Sequence, residues 1–208
     1  MHTISDIRPY HRIALGASVD VVNAITPDDL DRPTPCAGWN LADLLAHMTV
    51  QHYGFAASAR GGGADLALWQ PATVAEAVAV DPAGAYAAAA ADVLDAFSAD
   101  GVLDATFAMP EFGPGATVPG AMAIGFHFVD YVVHGWDVAR TIDAPIELPT
   151  EVIDAVLPLV LAVPDGEFRE ADGAPFARAI TATNAASDVF RILLHLGRSP
   201  DWAPAPRT

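Results

Sequence analysis

The segment Gly125-Phe-His-Phe-Val-Asp-Tyr-Val-Val-His-Gly-Trp-Asp137 carries four polar side chains in an otherwise apolar run. Wound as an α-helix, His127, Asp130, His134 and Asp137 fall within one arc of roughly 80°. Phe126, Phe128, Val129, Val132, Val133, Trp136 and Val138 surround them, so the helix is expected to be largely buried and its polar stripe to face something inside. Buried ionisable groups demand a partner or a metal. Asp130 and His134 are four residues apart, about 6 Å along the axis, an offset that lets two side chains share one ion. His127 and His134 are seven apart, about 10.5 Å, too far for easy sharing. His127 is therefore expected behind the ligands or against a substrate, where an imidazole can shuttle a proton.

A three-ligand site needs a group from a second helix. His47, in Leu41-Ala-Asp-Leu-Leu-Ala-His47, lies on a strongly apolar segment and can supply it. His52 points roughly 140° away from it around the same helix. Two His and one Asp leave open metal positions, as a catalytic site requires. The same spacing also suits a buried Asp130–His134 pair that only fixes packing. Asp137 is expected to cap the helix or pair with Arg140. Cys36, in a Pro/Gly-bounded turn, is expected to pack there as a small apolar residue. Trp39 and Trp136 are expected to pack near the same region.

These residues need long helices to position them. The pattern predicts helices over about Ile4–Ile25, Leu41–Arg60 with Asn40 as N-cap, a weaker one at Thr73–Val80, one from Pro82 to about Ala99, Gly120–Ile142 opened by Pro119, Thr150–Leu161 and Ser187–Leu196. Residues 101–118 read as a long loop, and 163–186 as irregular with short strands. The fold class is mainly all-α: a four-helix bundle core over about 4–142 with a C-terminal extension over 143–208, in a single domain. No βα alternation or phosphate-binding glycine loop is present.

Composition narrows the function. The 208 residues are 52% apolar, with ten Arg, no Lys, 26 acidic residues and a net charge of −16. Such a surface argues against nucleic acid and anionic membranes, and the missing Lys excludes Schiff-base chemistry. With one cysteine, no intrachain disulfide can form, and neither a signal peptide nor a membrane span is evident. A cytoplasmic protein acting on a small molecule is expected, and a homodimer is allowed.

The segments Thr34-Pro-Cys-Ala-Gly-Trp-Asn-Leu-Ala-Asp-Leu-Leu-Ala-His47, Asp130-Tyr-Val-Val-His-Gly-Trp-Asp-Val-Ala-Arg140 and Leu193-Leu-His-Leu-Gly-Arg-Ser-Pro-Asp-Trp202 resemble the DinB-like superfamily. The similarity is to its actinobacterial branch, related to mycothiol-dependent maleylpyruvate isomerase. The resemblance implies a DinB-like four-helix bundle holding a divalent metal, zinc or nickel. It implies His47, Asp130 and His134 as ligands, with Asp130 one methylene shorter than the glutamate of the isomerase.

It further implies a thiol-dependent enzyme. A mycothiol-like thiolate, generated on the metal, would add to a small electrophile and give thiol transfer or isomerisation. A thiol-independent tailoring enzyme catalysing cyclisation or rearrangement, and a non-catalytic metal-binding module, are the alternatives on the same scaffold. A dicarboxylate substrate fits poorly, because no Arg or Lys lies between Arg60 and Arg140. The loop bearing Glu111 and Phe112 is expected to cover the site.

Overall fold

The computed structural model describes residues 6–171, 174–181 and 187–204. Four helices form the bundle: α1 (Arg8–Val22), α2 (Leu41–Ala59), α4 (Pro82–Ser98) and α5 (Gly120–Ile142), with the short α3 (Ala75–Val80) before α4. Helix α1 packs on α4 and α5, and α2 packs on the same two from the other side, so the α2–α5 contact lies across the bundle from the α1–α4 contact. Two further helices, α6 (Thr150–Ala162) and α7 (Asp188–His195), pack on each other, with α6 also against α5 and α1.

Local chemistry sets the two helices that matter most. Asn40 caps α2 by accepting the Asp43 N–H at 2.9 Å, and Asp43 accepts the Asn40 N–H in return at 3.1 Å. This reciprocal box satisfies two donors that a helix start otherwise leaves free. Helix α5 begins after Pro119 and ends at Asp143, which adopts a left-handed φ of 58° and donates its N–H to the Arg140 carbonyl.

Helix α5 carries apolar residues on two faces because it is covered on two sides. Ile124, Tyr131 and Val138 enter the bundle core with Leu15, Leu45, Met48, Tyr86 and Phe97. Phe128, Val129, Val132 and Val133 enter a second core with Val152, Val156 and Val160 of α6 and Ile192, Leu193 and Leu196 near α7.

Three expectations are corrected. The first helix starts at Arg8 and ends at Val22, short of Ile25; residues 4 and 5 lie outside the described residues. Residues 101–118 are more than a loop: β1 (Thr106–Ala108) pairs antiparallel with β2 (Thr117–Pro119), with Phe107 opposite Val118. Three-residue strands are too short to show alternation, and the buried Phe107 anchors them to the core. The hairpin joins α5 closely enough that a Cβ on Gly120 would meet the Val102 carbonyl oxygen at 1.9 Å, so glycine is required there. No strand occurs among the described residues of 163–186; Glu167–Glu170 forms a 3₁₀ turn, while 172–173 and 182–186 are outside them.

Candidate metal centre

Helices α2 and α5 run antiparallel. His47 meets His134 with ring centroids 5.4 Å apart, and five residues further along α2 His52 meets His127. The Tyr131 hydroxyl donates to the Met48 carbonyl between these two levels and ties the helices in register.

At the first level the three expected ligands converge. Nε2 of His134 lies 3.2 Å from Asp130 Oδ1, and Nε2 of His47 lies 3.8 Å from Asp130 Oδ2. All three donor atoms fall within 4.8 Å of one another. Ligands at 2.0–2.1 Å from a tetrahedral zinc stand about 3.4 Å apart, so the spacing fits a metal. Burial opposes charge on Asp130, but His134 and His47 outweigh it and hold its pKa well below the ordinary carboxylate value. Burial likewise opposes charge on His134, yet Asp130, Cys36 and Asp137 raise its pKa well above the ordinary imidazole value. Either a proton or a metal ion meets this demand for positive charge.

Behind His134 stands Asp137, which is fully buried. Its Oδ2 accepts from His134 Nδ1 at 2.9 Å. Burial raises the Asp137 pKa, but Arg198 and His134 overcome this and lower it. An ionised carboxylate can only accept, so Nδ1 carries the hydrogen and Nε2 presents a lone pair toward Asp130 when His134 is neutral. Arg198 donates to Asp137 through Nε at 3.1 and 3.2 Å and Nη2 at 3.0 Å, and through Nη2 to Cys36 Sγ at 3.0 Å. The Cys36 thiol reaches Asp137 Oδ2 at 3.1 Å. The expected Asp137–Arg140 pairing is therefore replaced: Arg140 donates to the Trp202 carbonyl and lies over the Trp136 ring.

Cys36, His134 and Asp137 also form a compact donor group. The Arg198 guanidinium, within 3.0 Å of both Asp137 and Cys36, already supplies the positive charge there and repels a metal ion. Of the two groups, that of His47, Asp130 and His134 is the one without a cationic side chain already bound to it among the described residues.

The surroundings are aromatic on one side and carboxylate on the other. The Trp39 ring lies 4.9 Å from that of His47. Gln51, one turn beyond His47, donates to both oxygens of Glu111 at 3.0 and 2.9 Å. The segment between β1 and β2 thus rests on α2 through Glu111. Phe112 beside it packs edge-on to Phe126, which is one turn before Asp130 on α5.

His127 is not brought to the ligands. It has no exposed surface, and both ring nitrogens are hydrogen-bonded, Nδ1 to His11 Nε2 at 2.8 Å and Nε2 to His52 Nδ1 at 3.1 Å. Its ring stacks on Tyr131. Burial lowers all three imidazole pKa values, that of His11 to about 3. The buried imidazole, bonded on both sides, joins α1, α2 and α5. Sequence reasoning missed His11, Gln51 and Arg198, each of which acts through residues remote in the chain.

A helical bundle in which two imidazoles and one carboxylate converge from antiparallel neighbours defines a class of candidate metal-binding proteins. The chain belongs to the mycothiol maleylpyruvate isomerase N-terminal domain family, whose model matches residues 11–139. Two curated relatives, the uncharacterized proteins MT0763 and Rv0738 of Mycobacterium tuberculosis, are each 27% identical over 190 residues, covering 91% of this chain and 96% of theirs. The crystal structure of the mycothiol-dependent maleylpyruvate isomerase shares the fold, with a TM-score of 0.67 at 12% identity over 96% of this chain and 91% of that one. A mutant form of that isomerase gives 0.58 at 12% identity over 77% and 68%.

Proposed function

We propose that this protein is a divalent-metal-dependent enzyme that uses a low-molecular-weight thiol of the mycothiol type to transfer the thiol to, or isomerise, a small electrophilic substrate. The observation that carries the reading is the convergence of His47, Asp130 and His134 within 4.8 Å, with His134 oriented by Asp137. Family membership and the fold shared with a mycothiol-dependent isomerase support the thiol and the reaction class.

Two imidazoles and a carboxylate suit zinc or nickel. Such a metal, when bound, lowers the pKa of a coordinated thiol so that the thiolate is available at neutral pH. The chain's own residues do the rest. Asp137 fixes the His134 tautomer, and Arg198 and the Cys36 thiol hold Asp137 in turn. Trp39 walls the His47 side. We give His127 a positioning role: its bonds to His11 and His52 hold the helices that carry His47 and Asp130. No helix among the described residues is long and apolar enough to cross a membrane. We place the enzyme in the cytoplasm, where Cys36 stays reduced.

The test is loss of free mycothiol in the presence of a panel of activated alkenes, with and without added zinc or nickel. Metal-dependent thiol consumption, or metal- and thiol-dependent cis–trans conversion, is expected. Turnover that persists without thiol would instead favour a thiol-independent enzyme.

A further inference from the structure

The elements that frame the metal centre are α2, the β1–β2 hairpin with its connection, and α5. Helix α2 and residues 101–119 contain no Arg or Lys, and α5 contains only Arg140. Arg140 is engaged by the Trp202 carbonyl and the Trp136 ring. Arg198, buried beside the ligands, is taken up by Asp137, Cys36 and the Leu196 carbonyl. Arg8 and Arg12 line a hollow between α1 and α4, across the bundle from the α2–α5 groove. Arg32 is paired with Asp29, and Arg60 with Asp92 and Asp95, so among the described residues no guanidinium near α2 or α5 is left without a partner to meet an anion at this groove.

What the hairpin connection does bring to the groove is the Glu111 carboxyl group and the Phe112 ring, which meets Phe126 of α5. Because α2 and α5 are antiparallel, Gln51 and Phe126 both lie one turn from the ligands in the same direction. Glu111 docks on the first and Phe112 on the second. Glu111 is electrostatically coupled to His47 and Asp130. Burial, with a smaller push from Asp130, raises its pKa above the ordinary carboxylate value against the opposing pull of Gln51 and His47. Phe112 and Phe126 are 60% and 38% exposed, so the mouth keeps apolar surface in water, as ligand sites do.

We infer that this centre takes an uncharged electrophile bearing an aromatic or comparable apolar group, such as an enone, and that Glu111 disfavours dicarboxylates. The inference rests on the metal–thiol reading above. The reaction it implies balances without a further reagent. The sulfur of R–S–H forms a bond to the β-carbon, the carbon–carbon π bond breaks, and the thiol proton ends on the carbon next to the carbonyl.

The test uses the full chain, untagged and loaded with cobalt(II). Addition of mycothiol is read first, as a sulfur-to-metal charge-transfer band. Absence of that band overturns the thiol reading, and this inference with it. With the band present, two inert probes are titrated while the cobalt d–d bands are followed: 3-phenylpropionamide, neutral and aromatic, and succinate, a dianion. Tighter binding of the amide is expected. Glu111→Gln should narrow the preference on the order of tenfold, the effect of removing one nearby charge at a partly buried site. Equal or tighter binding of succinate, no binding of the amide, or a preference unchanged in Glu111→Gln overturns the inference while leaving the thiol reading standing.

Discussion

Nδ1 of His134 and Oδ2 of Asp137 lie 2.9 Å apart, one turn along the same helix and both buried. This bond converts an apolar helix with a polar stripe into a device that points one imidazole nitrogen at Asp130 and keeps the other protonated. A carboxylate behind a ligating imidazole fixes ring and tautomer and raises ligand basicity.

Asp137→Asn preserves the size of the side chain but removes its charge. Metal affinity, measured by competition with a chromophoric chelator, is expected to fall by about 10- to 100-fold. Unchanged affinity would show that Asp137 serves packing alone.

Arg198→Met tests the other half of the network. The substitution leaves Asp137 buried without its guanidinium partner. Breaking a buried pair from one side costs about 3–5 kcal/mol. The urea midpoint should drop accordingly, although Arg198 touches none of the three proposed ligands.

How far the sequence reveals this arrangement depends on chain distance. Helices α2 and α5 are legible because their caps and periodicity are local: Asn40 and Asp43 are three residues apart, and Pro119 directly precedes α5. Asp130 and His134 are legible for the same reason, through their four-residue offset. His47 is legible only as a His on an apolar helix, with the family resemblance to place it. Arg198 is bonded to a carboxylate 61 residues earlier, and His11 to an imidazole 116 residues later. Neither partnership leaves a local spacing to read. The β1–β2 hairpin escapes because its strands are too short for alternation and are fixed instead by packing of Phe107 and by the bond from Gly120 N–H to the Ala105 carbonyl.

The buried chain His11–His127–His52 makes stability depend on pH. All three imidazoles have folded-state pKa values depressed by burial, whereas the unfolded chain takes up protons near pH 6.5. Below that pH the unfolded state binds more protons, so stability falls as pH falls. The loss is about 1.4 kcal/mol per pH unit for each imidazole that stays neutral, and for His11 it continues toward pH 3. In the metal-free protein His134 has the opposite sign, its pKa being raised, but its contribution is complete once pH drops below 6.5. Urea midpoints of the metal-free protein should therefore decrease steeply between pH 6.5 and 5. A flat or rising profile there would mean that the cluster accepts protons while folded.

The central claim is that His47, Asp130 and His134 hold one metal ion. Its most direct test is the metal content of untagged protein, wild type against His47→Ala and His134→Ala, after equilibration with zinc or nickel and removal of the excess. About one metal per wild-type chain, lost in both variants while both remain helical by circular dichroism, is the predicted result. A folded wild-type protein that takes up no metal, or variants that retain it, would contradict the claim and leave the three residues as a buried polar contact between α2 and α5.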